Sequence, residues 1–177
     1  MTAQHTRAAP GQPMPAITVP LLGGATVSTA DGEGWRMLIV YRGRHCPRCK
    51  RYLAKLEAML PDFQETGVDI LVTSADPADK AMSDRDEFGW TFPLGHSLSL
   101  EDMATLGLYA SDPASAAETD RPYAEPGLFA VNPDGLLHVV GISNAASCRP
   151  DLDVVLDGIK GIQTRGLPIR GTRALAS

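Results

Sequence analysis

Residues 37–51 read MLIVYRGRHCPRCKR, and this stretch decides the fold. Its first five residues form a continuous apolar run with β-branched side chains, which predicts a strand buried on both faces. A helix is then predicted from about Pro47 to Leu60, ending at Pro61, because its apolar residues repeat with a 3.6-residue period. These residues are Cys49, Tyr52, Leu53, Leu56 and Leu60. A cysteine pair therefore lies where a buried strand passes into a helix.

The segments that follow extend this pattern into a parallel sheet. Val68 to Thr73 (VDILVT) predicts a second buried strand, and Pro77 lies just inside a helix that runs toward Phe88. Two strand–helix units in succession are typical of a parallel sheet. A short amphipathic helix is expected over residues 98–107, and residues 108–124 are expected to form a long polar insertion loop.

The two ends of the chain complete the expected architecture. Residues 128–131 and 136–142 predict antiparallel strands around an Asn-Pro-Asp-Gly turn, and a last helix is expected over residues 151–164. Residues 17–20 and 25–28 predict a small hairpin around a Leu-Leu-Gly-Gly step. The expected fold class is α/β: a three-layer α/β/α sandwich with a mixed central sheet and an N-terminal β-hairpin extension.

Length and composition indicate one folded domain. The chain has 177 residues and is 44% hydrophobic and 21% charged, which is enough apolar material for a core without disulfide staples. We expect a flexible N-terminal arm at 1–16, one domain at 17–165 and a C-terminal tail at 166–177. A net charge of −5 gives no general attraction to nucleic acid or to an anionic membrane. With no apolar run near the roughly 20 residues of a membrane span and no signal-peptide core, a cytoplasmic location is expected.

The spacing of Cys46 and Cys49 is the strongest functional signal in the chain. Three cysteines do not make a disulfide framework, so a C-x-x-C pair is redox-active or binds a metal. A structural zinc site needs four ligands, and only Cys148 and four scattered histidines remain. The pattern favours redox activity, with zinc binding and inert thiols as alternatives. We expect no metal and no organic cofactor.

The two cysteines are predicted to differ in reactivity. Because Pro47 suits the first helical position, the Cys46 sulfur should lie near exposed N–H groups at the positive end of the helix dipole. Helix N-termini, cations and C-x-x-C partners together lower a cysteine pKa from about 8.5 to about 3.5–7.5. Cys49 lies on the apolar stripe and should be sheltered. We therefore expect an exposed Cys46 thiolate to attack and Cys49 to resolve the product.

Basic residues surround the pair. Five of the 16 Lys and Arg residues lie within residues 42–51, with no carboxylate among them, which predicts a local positive field. Arg44 and Arg48 are candidates for stabilising the thiolate or binding an acidic partner, with a solvated charge run as the alternative. His45 is a candidate for proton exchange, with a partly packed loop histidine as the alternative. Cys148 could form a disulfide with Cys46, although packing is the commoner role of a lone cysteine.

Three segments carry a family resemblance. YRGRHCPRCKRYLAKLE at 41–57, SADP at 74–77 and EPGLFAVNPDG at 125–135 resemble the peroxiredoxin-like branch of the alkyl hydroperoxide reductase/thiol-specific antioxidant (redoxin) family. The resemblance spans roughly residues 13–162 and implies a thioredoxin-like fold. It also implies that Pro126 is a cis-proline facing the C-x-x-C pair and that Arg149 returns toward the site. An ordinary trans proline and a solvated arginine are the alternatives.

The sequence departs from the common peroxiredoxin pattern P-x-x-x-[TS]-x-x-C. Counted back from Cys46, the positions of the hydroxyl residue and the proline are Gly43 and Ile39. The hydroxyl that orients the peroxide is therefore missing. Pro126 stands where such proteins often have an activating arginine. These departures favour disulfide chemistry over peroxide chemistry.

The sequence therefore predicts a thiol-disulfide oxidoreductase that cycles between a dithiol and a Cys46–Cys49 disulfide. Its reductant would be thioredoxin, glutathione or a similar thiol, and its substrate a disulfide. The first alternative is a thiol peroxidase that reduces hydrogen peroxide or alkyl hydroperoxides. The second is a redox-regulated binding domain that uses its basic rim to dock an acidic partner. No nucleic-acid or membrane partner is expected, and a homodimer is an open alternative to a monomer.

Overall fold

A computed structural model of the chain describes residues 8–173. Four helices and eight strands alternate along this range. They are β1 (Thr18–Pro20), β2 (Thr26–Ser28), β3 (Trp35–Val40), α1 (Pro47–Glu65), β4 (Val68–Thr73), α2 (Ala78–Phe88), α3 (Leu100–Thr105), β5 (Ala110–Ser111), β6 (Tyr123–Ala124), β7 (Gly127–Val131), β8 (Leu137–Ile142) and α4 (Leu152–Arg165).

The central sheet is mixed, as the sequence predicts. Its strand order is β4-β3-β7-β8, with β3 parallel to β4 and the other two pairs antiparallel. Val40, the last residue of β3, pairs with Thr73 on one side and with Gly127 on the other. The loop that leads to the cysteines therefore lies at the same edge of the sheet as the residues after β4 and before β7.

The two faces of β3 contribute to two separate hydrophobic cores. Met37 and Ile39 face the core formed with α1, α2 and α4, whereas Leu38 and Val40 face the core beneath the N-terminal segment and α3. This alternation follows from the two-residue period of a strand, and apolar residues at all four positions explain why the run is continuous. The result is the expected three-layer α/β/α sandwich.

Helix α1 is one turn longer than predicted, since Pro61 lies inside it and the helix ends at Glu65. Pro61 is exposed and lacks an N–H to donate, but continuing the helix buries Met59 and Phe63 on its inner stripe. Packing of the inner face therefore outweighs the local preference of proline. None of the helices within residues 8–173 has the length and apolar character of a membrane span.

The predicted N-terminal hairpin and insertion loop are both present, and the loop is anchored. Strands β1 and β2 pair antiparallel. At the two ends of the loop, β5 pairs with β6, through Ala110 with Ala124 and Ser111 with Tyr123. This pairing closes the loop on itself and carries its residues toward the cysteine-bearing edge of the sheet.

Part of the expected N-terminal arm is docked on the domain. Ala8 and Met14 are buried, and the backbone N–H groups of Gly11 and Met14 donate to the carbonyl oxygens of Leu137 and Gly135. This segment covers the β7–β8 turn, which polar composition alone did not indicate. Residues 1–7 of the arm and 174–177 of the tail lie outside the described residues.

Candidate active site

Cys46 and Cys49 form a disulfide at the N-terminus of α1, with their Cα atoms 5.3 Å apart. Cys46 is the N-cap residue, and Pro47 is the first residue of the helix. The Cys49 backbone N–H donates to the Cys46 sulfur at 3.2 Å. The sulfur thus occupies the place of a capping side-chain oxygen, next to the backbone donors that every helix leaves unpaired.

Both cysteines are buried in this oxidised state. Cys46 is 2% exposed and Cys49 is 0% exposed. The expected shelter of Cys49 is present, but the expected exposure of Cys46 is not. In this state the Cys46 sulfur is bonded to Cys49, which lies on the inner stripe of α1.

Arg149 contacts the inner sulfur. Its Nη2 lies 2.9 Å from the Cys49 Sγ, and its guanidinium lies over the Tyr52 ring with its carbon 5.1 Å from the ring centroid. The Tyr52 hydroxyl in turn donates to the Pro150 carbonyl oxygen at 2.9 Å. The loop before α4 therefore brings a cation from 100 positions away in the chain onto a cysteine of α1.

The charge of Arg149 is incompletely compensated. No carboxylate among residues 8–173 lies within ion-pair distance of it, and its Nε and Nη1 have no hydrogen-bond partner there. Burial lowers the pKa of Arg149 to about 10 and raises the pKa of Tyr52 to about 12. A thiolate at Cys49 would provide the negative charge that this guanidinium lacks.

Gly43 makes room for a carboxylate. Its φ is +124°, and a Cβ there would lie 2.6 Å from Oδ2 of Asp76. That same oxygen accepts the backbone N–H of Arg44 at 2.6 Å. A threonine or serine would therefore collide with Asp76 and would need a backbone conformation rare for residues with a side chain. The missing hydroxyl at Gly43 is thus replaced by an aspartate that holds the loop.

Most of the predicted positive field is neutralised by other elements. Arg44 pairs with Asp84 at 2.6 Å and with Glu87 at 2.8 Å. Lys50 lies 3.8 Å from the same buried carboxylate of Asp84. Burial raises the pKa of Asp84. Arg44 therefore pairs with carboxylates of α2, and its role in stabilising the thiolate stays a prediction.

Arg42 is compensated by the insertion loop and the strand that follows it. It pairs with Glu118 at 3.5 Å and with Glu125 at 3.4 Å, and it donates to the Tyr123 hydroxyl. Arg48, in contrast, is exposed and forms no ion pair within the described part of the chain. The local positive field predicted from the sequence is therefore reduced to its unpaired arginines, because carboxylates distant in sequence fold onto Arg42, Arg44 and Lys50.

His45 is nearly enclosed, with its side chain 8% exposed. Its ring contacts the Tyr123 ring at a tilt of 52°, with the centroids 4.5 Å apart, and its Nε2 lies 3.9 Å from Oε1 of Glu118. Neither ring nitrogen has a hydrogen-bond partner in residues 8–173. Burial, followed by the charge of Arg42, lowers the pKa of His45, and Asp76, Glu118 and Lys80 also face it.

Pro126 is not a cis-proline, since every peptide bond within residues 8–173 is trans. It is buried and lines a cavity of about 10 Å³ together with Tyr52, Arg149 and Cys148. Cys148 itself is a free, exposed cysteine. The resemblance therefore misled the interpretation of the peptide bond, but Pro126 does lie beside Arg149.

The residues that sequence reasoning missed are mainly the acidic partners: Asp76, Asp84, Glu87, Glu118 and Glu125. Asp76 had a signal, since it follows β4 at the carboxyl end of a strand parallel to β3. The other four had none. A cavity of about 280 Å³ is lined by Arg36 and Asp69 among others, at the opposite end of β3 and β4 from the cysteines. No group of three or more metal-binding side chains occurs within residues 8–173.

Comparison with known proteins places these features in a family. Residues 10–140 match the AhpC/TSA family. A Mycobacterium tuberculosis protein named "Putative peroxiredoxin Rv2521" is 29% identical over 155 residues, which cover 84% of this chain and 98% of that protein. The "Thiol-disulfide oxidoreductase ResA" of Bacillus thuringiensis is 24% identical over 99 residues, which cover 55% of this chain and 57% of that protein.

Solved structures agree on the fold. A mutant of the peroxiredoxin 6 of Arenicola marina superposes with a TM-score of 0.74 at 19% identity, covering 89% of this chain and 74% of that one. The peroxidoxin BcpB of Mycobacterium tuberculosis gives a TM-score of 0.73 at 16% identity, covering 88% and 99%. At these identities the likeness establishes the architecture alone.

The contact between Gly43 and Asp76 predicts the cost of adding a side chain. We expect Gly43→Ala to lower the free energy of unfolding by about 1–3 kcal/mol, because the residue must keep a positive φ and its Cβ meets Asp76. In the control Gly158→Ala, the new Cβ has no atom within 4 Å, so a gain of about 0.5–1 kcal/mol is expected. Urea denaturation measures both. Equal stability of Gly43→Ala and the parent protein would contradict this account of the loop.

The buried His45 predicts a loss of stability in acid. Because its pKa is lowered in the folded protein, the unfolded chain binds more protons below the ordinary value of 6.5. The free energy of unfolding should therefore fall as the pH decreases through 6.5, and by less in His45→Gln. Urea denaturation of both proteins between neutral and acidic pH measures the difference. A pH-independent difference would show that His45 does not carry this effect.

Proposed function

The chain is a thiol-based oxidoreductase of the AhpC/TSA family, and from this premise we propose that it catalyses thiol–disulfide exchange through Cys46 and Cys49. In this proposal Cys46 is the attacking cysteine and Cys49 the resolving one. The substrate is a disulfide, and the reductant is a thiol such as thioredoxin or glutathione.

One observation carries the proposal: the two sulfurs are bonded at a helix N-terminus, with Arg149 against the inner one. The disulfide is formed with α1 intact from Pro47 onward. The helix end favours a negative charge on Cys46, and Arg149 favours one on Cys49.

The reaction is balanced without a cofactor. A Cys46 thiolate attacks one sulfur of the substrate disulfide, forming a mixed disulfide and releasing one substrate thiolate. The Cys49 thiolate then attacks the Cys46 sulfur and releases the second substrate thiolate. Two electrons have passed to the substrate, and the Cys46–Cys49 bond has formed. A thiol reductant reverses these two steps on the enzyme.

Arg149 contributes to the second step. Only a thiolate is nucleophilic, and a buried thiol normally resists ionisation. The guanidinium 2.9 Å from the Cys49 sulfur offsets that penalty with a charge-assisted hydrogen bond. Cys49 is thereby ready to attack as soon as the mixed disulfide forms.

A second candidate function is reduction of hydrogen peroxide or alkyl hydroperoxides. Arg149 favours it, because a cation beside a buried sulfur stabilises a thiolate that attacks the O–O bond. That attack yields an alcohol or water and a sulfenic acid, with which the second thiol condenses to release water and form the disulfide. The side chain of Cys49 would be the attacking group in this reaction. Peroxide reduction by Cys46 is less favoured, because Gly43 supplies no hydroxyl to orient a peroxide there.

Several expectations remain predictions: the cytoplasmic location, the absence of a metal or organic cofactor, and a monomer or homodimer. The binding-domain alternative predicts a protein that binds a partner in one redox state without turnover.

Cysteine substitutions test the proposed function. We expect Cys46→Ser to slow reduction of a model disulfide by more than about 100-fold, because it removes the nucleophile. Cys49→Ser should instead accumulate a mixed disulfide with the substrate, visible by mass spectrometry. Cys148→Ser is the matched control and should keep the parent rate. Stopped-flow fluorescence and mass analysis give the measurements.

Two results would point elsewhere. A Cys46→Ser protein that still turns over disulfides would show that Cys46 is not the nucleophile. Fast consumption of hydrogen peroxide with slow reaction at the model disulfide would support the peroxidase instead. In that case, Cys46→Ser and Cys49→Ser are each treated with peroxide, and the variant that forms a sulfenic acid retains the attacking cysteine.

Replacement of Arg149 tests its role as a positioning residue. In a background without Cys46 and Cys148, Arg149→Met should reduce the ultraviolet absorbance of the Cys49 thiolate at neutral pH, and Arg149→Lys should restore part of it. In the parent background, resolution of the mixed disulfide should slow about tenfold or more, since hydrogen bonds to charged groups contribute about 1.5–3 kcal/mol. Unchanged thiolate absorbance in Arg149→Met would limit Arg149 to a structural role.

A further inference from the structure

We propose that the exposed side of the first turns of α1 is the docking site for an acidic protein thiol that reduces the Cys46–Cys49 disulfide. This proposal rests on the proposed function and adds the surface that the reductant binds and the acidic character that this surface selects. The α1 docking face is defined by the exposed side chains of Arg48 and Arg51.

Two basic side chains near the disulfide, Arg48 and Arg51, have no carboxylate partner among the described residues. Of the five basic residues in positions 42–51, three have carboxylates within 4 Å. Arg48 and Arg51 are exposed, and neither has an ion pair to any described residue. In a chain with a net charge of −5, unpaired arginines beside the reactive bond form a local site that attracts negative charge.

The two arginines lie on one side of the helix end that carries the disulfide. They are three residues apart, so their side chains are neighbours, with Cβ atoms about 5–6 Å apart. Arg48 is two residues from Cys46, and the exposed Pro47 lies between them. A protein bound to this face would therefore lie over the N-terminus of α1, where the Cys46 sulfur is held.

The shape of the face favours a protein over a small anionic thiol. Two cavities lie near the cysteines, one of about 10 Å³ beside Arg149 and one of about 170 Å³ beside His45. Neither Arg48 nor Arg51 lines either of them. Both arginines project from the surface of a helix, which provides an area for another surface and no enclosure for a small molecule.

The chemistry at this face is an exchange of two electrons. Because Cys46 is only 2% exposed in the disulfide form, the docked partner has to displace part of the loop before Cys46 to reach its sulfur. A thiolate of the acidic protein then attacks the Cys46 sulfur, the Cys46–Cys49 bond breaks, and Cys49 leaves as a thiolate beside Arg149. The second thiol of the partner then attacks the mixed disulfide, which frees Cys46 and leaves the partner as its own disulfide. The docked partner thus approaches the cysteine that precedes α1, and Arg149 receives the leaving group from the other side.

The test compares two reductants on the double variant Arg48→Gln/Arg51→Gln. With an acidic thioredoxin at low ionic strength, we expect the rate constant of reduction to fall about tenfold, and the difference to shrink at high salt because exposed charges are screened. Reduction by dithiothreitol, which is uncharged apart from its attacking thiolate, should stay within about twofold of the parent rate.

A matched control removes two charges elsewhere. Lys160 and Arg165 are exposed on α4. This part of α4 lies at the far end of α1, because Gln163 donates to the carbonyl oxygen of Thr66. The length of α1 places Thr66 about 28 Å from Pro47. Lys160→Gln/Arg165→Gln has the same net charge as the test variant. It should keep the parent rates with both reductants.

The outcomes separate the docking face from the reaction. Equal slowing in both double variants, or no slowing in either, with normal dithiothreitol reduction, would overturn the docking face alone. A disulfide that neither reductant opens would overturn the proposed function. In that case, binding of the same thioredoxin lacking both active-site cysteines is measured for both double variants. Tighter binding by Lys160→Gln/Arg165→Gln than by Arg48→Gln/Arg51→Gln supports the docking face, and equal binding overturns it.

Discussion

The hydrogen bond from the Cys49 backbone N–H to the Cys46 sulfur joins the fold to its chemistry. It requires a helix that begins at Pro47, and that helix begins there because β3 ends at Val40 and the loop turns through Gly43. The sulfur replaces the usual capping oxygen, so its negative charge is favoured by the same unpaired amides that open the helix. A change in the loop therefore alters the reactive sulfur and the helix together.

Charge is distributed unequally around the two sulfurs. On the Cys46 side, the loop cations are matched by carboxylates, as with Arg44 and the buried Asp84. On the Cys49 side, Arg149 has no such carboxylate among the described residues, and a Cys49 thiolate formed on reduction would supply the missing negative charge. The cations of the loop are therefore held in structural ion pairs, whereas Arg149 is left to interact with the sulfur. This difference also means that the number of basic residues near a cysteine does not measure the field acting on it.

Much of the fold could be predicted, and its errors have identifiable causes. The strand Val68–Thr73 has the bounds that its sequence predicts, because buried strands have a strong local pattern. Pro61 misled the prediction of the helix end, because burial of Phe63 two residues later outweighs the lost hydrogen bond. The cis isomer at Pro126 rested on resemblance alone, and no local property of the residue reports the isomer of its peptide bond.

The sequence by itself determined the strand-to-helix junction, the cysteine pair on it and the family, because each is encoded within a few consecutive residues. Only the tertiary structure decided which cations stay free and which sulfur receives one. Arg149 reaches Cys49 across 100 positions, and Asp76 reaches Arg44 across 32. Electrostatic interactions depend on distances in space, and those distances exist only after strands and helices have packed.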